Sequence, residues 1–172
     1  AVLTQGPHLE EFETRFSEYS GAENCFALSN ATMGLELIAQ LCQFEASDEI
    51  IIPAHTFTSS AYPFAKVGAK IVWSDVDRVT GTVTCSAIEK CLSPRTKAVL
   101  VTHLYGYCVD MAEIVQLTEK NGLLLIEDAA QALGAFTDDR MAGTFGDFGV
   151  YSFHSHKNVT TLGEGGMLVV KD

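Results

Sequence analysis

Short β-rich runs alternate with stretches of helical periodicity along this chain, and that alternation leaves it few folds. Ala31 to Gln43 (ATMGLELIAQLCQ) puts Leu35, Ile38, Leu41 and Cys42 at helical spacing, with Ser29 and Asn30 ahead of it as caps. Asp48 to Pro53 (DEIIIP) predicts a buried strand cut off by proline. Thr58 to Val67 suits a helix with Pro63 in its first turns or at a kink. Gly68 fits the end of that helix, ahead of a strand at Ala69 to Asp75. Ser86 to Cys91 reads as a short helical piece, Lys97 to Thr102 as a strand, and Met111 to Asn121 as a helix closed by Gly122. Leu123 to Asp128, Val150 to Phe153 and Met167 to Val170 complete the strands. The expected class is α/β: a mostly parallel central sheet flanked by helices, with ligands at the C-terminal ends of its strands.

Composition narrows the reading. A chain of 172 residues builds one good core, and no linker-like stretch or internal repeat divides it, so a single domain is expected. The formal charge is −11, from 22 acidic against 11 basic residues. Lys and Arg do not cluster, which argues against nucleic acid and anionic membrane as partners. Uninterrupted apolar runs such as Leu123 to Ile126 are far too short to cross a bilayer, and no signal-like segment opens the chain. Five cysteines without a CxxC pair fit neither a disulfide framework nor a zinc site. They read as reduced thiols in a soluble, cytoplasmic protein.

The densest functional signal runs from Ile126 to Met167. Its first element is IED at a strand's end, followed by AAQALGA. A carboxylate there lies where α/β sheets bind ligands, although an Asp capping the next turn looks the same in sequence. The second element, YSFHSHKNVTTLGEGGM, is a strand, a polar turn with one lysine, and a glycine-rich bend into another strand. Glycines there permit close backbone approach; a lysine in such a turn is usually a solvated surface residue. The GEGG run does not follow a first strand into a helix as a dinucleotide fingerprint requires, and no GxxxxGK[ST] loop exists. His154 and His156 form an HxH pair, but no third ligand lies at a supporting spacing, so no metal is expected.

Taken together, TQGPHLEEFE, SNATMGLEL, PAHTFTSSA, GAKIVWSDVD, RTKAVLVTHLYG, EDAAQALGA and SFHSHKN-GEGGM resemble the DegT/StrS-type sugar-nucleotide aminotransferases. Those are fold type I enzymes dependent on pyridoxal 5'-phosphate, and the resemblance covers essentially the whole chain. It implies that Lys157 is the lysine that carries the cofactor and, once freed, acts as the general base. Asp128 matches the acid that pairs with the pyridinium nitrogen, and Gln131 a residue near the ring's 3-oxygen. Ala31 and Thr32 stand where relatives read Gly-Thr at a helix start and hold the cofactor phosphate, with Ser152 as another phosphate ligand. Phe57 matches the aromatic residue that stacks on the ring; an ordinary core phenylalanine is the alternative. His103, in THLYG, is set aside as structural.

The implied activity is transfer of an amino group, from glutamate, onto a nucleotide-linked keto-sugar by a homodimer. A dehydratase of the same family uses this cofactor with histidine in the lysine's place; Lys157 argues against it, and His156 sits one position short. A non-catalytic module that retains the fold is the rival from another class. Family members continue into a smaller C-terminal domain, so the chain is expected to be the large-domain portion of a longer protein.

Overall fold

The computed structural model describes residues 5–137 and 139–171. Thr4 of the TQGP motif and Asp172 of the closing VVKD lie outside the described residues. The elements run α1 (Pro7–Ser20), β1 (Asn24–Leu28), α2 (Ala31–Leu41), β2 (Glu49–Pro53), α3 (Tyr62–Lys66), β3 (Lys70–Ser74), α4 (Cys85–Glu89) and β4 (Thr96–Thr102). They continue as α5 (Met111–Asn121), β5 (Leu124–Asp128), β6 (Phe136–Thr137), β7 (Arg140–Met141), β8 (Phe148–Ser152) and β9 (Gly166–Val170).

Seven strands form one sheet in the order β1-β9-β8-β5-β4-β2-β3. The five from β8 to β3 are mutually parallel, while β9 runs antiparallel to both β8 and β1. The mostly parallel sheet is therefore as the sequence implies. Burial on both faces explains the continuous apolar runs, because alternate residues feed two different cores. Ile50, Ile52, Leu100, Ile126, Val150 and Leu168 pack under Leu35 and Ile38 of α2 and Phe64 of α3. Their neighbours Ile51, Val99, Val101 and Leu125 face Met111, Ile114 and Leu117 of α5 on the other side. On that same side, Tyr151, Met167 and Val169 pack with Phe16 of α1 and with Phe153.

Local signals explain most boundaries. Asn30 caps α2, its side chain accepting from the Met33 N–H at 2.9 Å. The helix ends at Leu41 rather than Gln43, where Gln43 turns to φ 48. Thr58 to Val67 divides into a 3-10 turn at Thr58–Ser60 and the short α3, with Pro63 in its opening turn. Strand β8 starts at Phe148 and ends at Ser152, two residues ahead of the expected start and one short of Phe153. Gly122, at φ 64, terminates α5 as predicted. Helix α1, strand β1 and the β6–β7 hairpin carry no expectation from the sequence. Among the described residues no helix is long and apolar enough to cross a membrane, and all five cysteines are free.

Candidate functional site

Strand direction decides where the chemistry gathers. Thr102, Asp128 and Ser152 are the last residues of the parallel strands β4, β5 and β8. Gly166 opens the antiparallel β9 beside Ser152 and opposite Leu28, after which the chain turns into α2. The loop after β2 carries Thr56, Phe57 and Ser60 to the same end. The result is a cleft of about 680 Å³ lined by Ala31, Thr32, Phe57, Asp128, Gln131, Ser152 and Lys157, with Thr102, His154 and Glu164 among its other walls. All seven residues singled out in the sequence thus meet in one place.

Each is held by an identifiable local cause. Ala31 and Thr32 are the first two residues of α2, where backbone N–H groups have no intrahelical acceptor and the helix dipole favours an anion. Asn30 caps the N–H of Met33 beyond them. Gly166 backs onto this turn so closely that a Cβ there would lie 2.4 Å from the Asn30 carbonyl carbon and 2.7 Å from the Ala31 nitrogen. The glycine-rich bend is therefore a close approach of backbone to backbone. Ser152 is buried, and its hydroxyl accepts from the His154 N–H at 3.3 Å.

Asp128 is 4% exposed, with Oδ1 accepting from the Ala130 N–H at 3.1 Å and Oδ2 from the Ser60 hydroxyl at 2.6 Å. Its neighbour Glu127 points to the opposite face, as strand alternation requires. There Glu127 is fully buried and accepts from the backbone N–H groups of Gly143, Phe145 and Gly146 at 2.6–2.8 Å, and from His103 Nε2 at 2.8 Å. Burial works against a charge on His103, while Cys108 and Glu127 favour one. The Val109 N–H decides between them: it donates to Nδ1 at 3.0 Å, so the ring is neutral with its proton on Nε2. His103 is fully buried away from the cleft, joining Glu127 to the loop that follows β4.

Gln131 accepts the Tyr105 N–H on Oε1 at 2.9 Å, which assigns the amide orientation and leaves its NH₂ to donate. Tyr105 is held there at φ 55, an unusual backbone for a non-glycine residue. Phe57 is 69% exposed, so it is a cleft wall and not a core phenylalanine. Lys157 is half-buried in the turn after β8, its N–H donating to the His154 carbonyl at 2.9 Å. His154 Nε2 lies 3.3 Å from Glu164 and its Nδ1 accepts from the His156 N–H. The His154 ring is thus engaged within the protein, and among the described residues no group of three or more His, Cys, Asp or Glu is arranged to hold a metal.

Ser60, Thr56 and Thr102 are site residues that the sequence did not disclose. Ser60 lies inside PAHTFTSSA, but a serine in a polar run gives no sign that it is fully buried against a carboxylate 68 positions on.

The DegT/DnrJ/EryC1/StrS aminotransferase family model matches residues 1–172. The chain belongs to that family. Among its family relatives, the GDP-perosamine synthase of Escherichia coli O157:H7 is 35% identical over 171 residues, or 99% of this chain and 47% of that protein. The dTDP-3-amino-3,4,6-trideoxy-alpha-D-glucose transaminase of Micromonospora megalomicea subsp. nigra is 35% identical over 170 residues, 99% of this chain and 46% of its own length. The solved aminotransferase from Psychrobacter cryohalolentis superposes with a TM-score of 0.94 at 38% identity, covering 97% of this chain and 42% of that one. The chain spans about half the length of the curated family relatives it matches.

Proposed function

We propose that this chain is the cofactor-binding large domain of an aminotransferase that moves an amino group from glutamate onto a nucleotide-linked keto-sugar. The observation that carries this reading is the convergence of Lys157, Asp128, Gln131, Phe57, Ser152 and the α2 N-terminus on one cleft. The named relatives, a GDP-perosamine synthase and a dTDP-amino-sugar transaminase, support the substrate class.

The donor set fits pyridoxal 5'-phosphate. An anion at the start of α2 meets the N–H groups of Ala31 and Thr32, with the Thr32 and Ser152 hydroxyls beside it. A buried carboxylate, Asp128, offers its charge to a cationic ring nitrogen, and the Gln131 NH₂ donates to a ring oxygen. Phe57 presents an exposed aromatic face, suited to stacking on a flat ring. When bound, the cofactor supplies an electron sink for the carbon that bears the amine. Lys157 anchors it covalently and, with its amine free, carries the substrate proton. Lysine at this position favours amino transfer over the dehydratase reading, which needs histidine there.

The protein works in the cytoplasm as a homodimer on this reading, with a second copy and a C-terminal domain completing the cleft. Leu41, Tyr62 and Trp73 are large side chains left more than half exposed on the described surface, consistent with further contacts. The test is to assay the 172-residue chain beside a form of the relatives' length, with glutamate and a panel of nucleotide-linked keto-sugars. Amino-sugar formation by the longer form, with cofactor binding but no turnover by the shorter, is expected. Misplaced substrates alone can cost about 100-fold in rate. Equal turnover by both would overturn the large-domain reading, and no amino sugar from either would overturn the activity.

A further inference from the structure

Behind Asp128 lies a set of buried and half-buried hydroxyls whose protons, with the carboxylate ionised, can run in only one direction. Thr102 and Asp128 are register partners at the ends of β4 and β5, side by side on the cleft face. The loop after β2 bridges them. Thr56 Oγ1 lies 2.9 Å from Thr102 Oγ1 and 2.6 Å from Ser60 Oγ, and Ser60 Oγ lies 2.6 Å from Asp128 Oδ2. Ser60 is fully buried, and Thr102 and Asp128 are 5% and 4% exposed.

An ionised carboxylate only accepts, so the single proton of Ser60 goes to Asp128. Ser60 can then only accept from Thr56, and Thr56 only from Thr102. Every hydroxyl gives its proton toward the carboxylate. Were Asp128 protonated on Oδ2, the same four groups could run the other way, so the direction of the chain is tied to the charge at its end. In a low-dielectric interior such chains polarise one another, and the last bond into the carboxylate gains from those behind it.

We propose that Ser60, backed by Thr56 and Thr102, is a positioning residue that fixes Asp128 as the charged partner of a cationic ring in the cleft. The inference rests on the reading of Asp128 as the acid that faces the cofactor's ring nitrogen. It adds a consequence for the loop. Phe57 sits between Thr56 and Ser60, so the segment that presents an aromatic face to the ring is the one that supplies the hydrogen bonds to the ring's counter-charge. Loop placement and carboxylate charge are set together.

The experiment uses the full-length protein loaded with cofactor labelled with ¹⁵N at the pyridine nitrogen. The ¹⁵N shift against pH reports where the bound ring loses its proton. In Ser60→Ala the carboxylate is no longer held against the ring nitrogen, so that midpoint should fall by roughly one unit. Thr56→Val, which keeps the Ser60 bond but not its support, should move it less, and Thr102→Val least. Thr56→Ser, which restores the hydroxyl, should return the wild-type midpoint. A purely structural role would lower the melting temperature of these variants and leave the midpoint in place. Asp128→Asn separates the two readings. If it lowers the midpoint while Ser60→Ala and Thr56→Val do not, the hydroxyl chain has no such role. If Asp128→Asn itself leaves the midpoint unmoved, the reading of Asp128 fails and the chain falls with it. Thr56→Val and Thr102→Val are close in shape to the originals, so they carry the test even if Ser60→Ala does not fold.

Discussion

At the scale of single residues, adjacent side chains of similar chemistry do different work because β-strands alternate. Glu127 and Asp128 are consecutive acids: one satisfies three backbone N–H groups behind the sheet, the other faces the cleft. Sequence alone marks the pair as interesting but does not say which acid faces the ligand; the family resemblance chose Asp128. Phe57 shows the reverse case, a large aromatic residue whose exposure, rather than its burial, fits a ligand role. Phe57→Ala is expected to raise the cofactor Kd by about 2- to 10-fold, since aromatic contacts contribute roughly 0.5–1.5 kcal/mol beyond area burial. Its melting temperature should barely change, because the ring makes no core. Spectrophotometric titration with cofactor, beside a thermal melt, checks both halves; a large fall in stability with unchanged affinity would return Phe57 to a structural role.

At the scale of elements, the apolar strands and most helices were legible even where short, while the longest helix, α1, was not. Met111–Asn121 came out residue for residue because its apolar spacing and Gly122 agree. Helix α1 is a polar, acidic segment with Phe16 as its only large buried side chain, and the edge strand β1 shows no regular alternation of burial. The close approach of Gly166 to α2 was legible only as a glycine-rich bend, since its partner lies more than 130 residues earlier in the chain. Gly166→Ala is therefore expected to displace the α2 N-terminus and weaken phosphate binding, read as a several-fold higher Kd for the cofactor with the far-UV spectrum preserved. Unchanged affinity would show that the turn absorbs the methyl without moving the N–H groups. On the far side of the sheet, Glu49 at the start of β2 is 3% exposed and joins Ser93, Arg95 and Lys70. Hydrogen bonds from Ser93, then Arg95 and Lys70, hold its carboxyl down from the ordinary 4.5 to about 2. The folded state thus binds the proton less readily than the unfolded chain. The stabilisation is complete above about 4.5 and is lost as the pH falls toward about 2. In denaturant melts, the gap between the native protein and Glu49→Gln should close over that range; a constant gap would mean that the carboxylate's charge is not what the site uses.

At the scale of the whole molecule, the parallel strands end together and the chain turns back through β9, so the N-terminus of α2, Asp128 and Lys157 reach one cleft from segments far apart in sequence. The sheet supplies rigidity where geometry matters, and loops supply Phe57, Gln131 and Lys157 around it. The family match covers residues 1–172, and the chain spans about half the length of the named relatives. The central claim is that Lys157 is the covalent anchor in that cleft. Borohydride reduction of the cofactor-loaded protein, followed by proteolysis and mass mapping, tests it most directly. The cofactor mass should appear on the peptide containing Lys157, and Lys157→Ala should keep the fold and take up no label. Label on another lysine, or none on the loaded protein, would contradict the account.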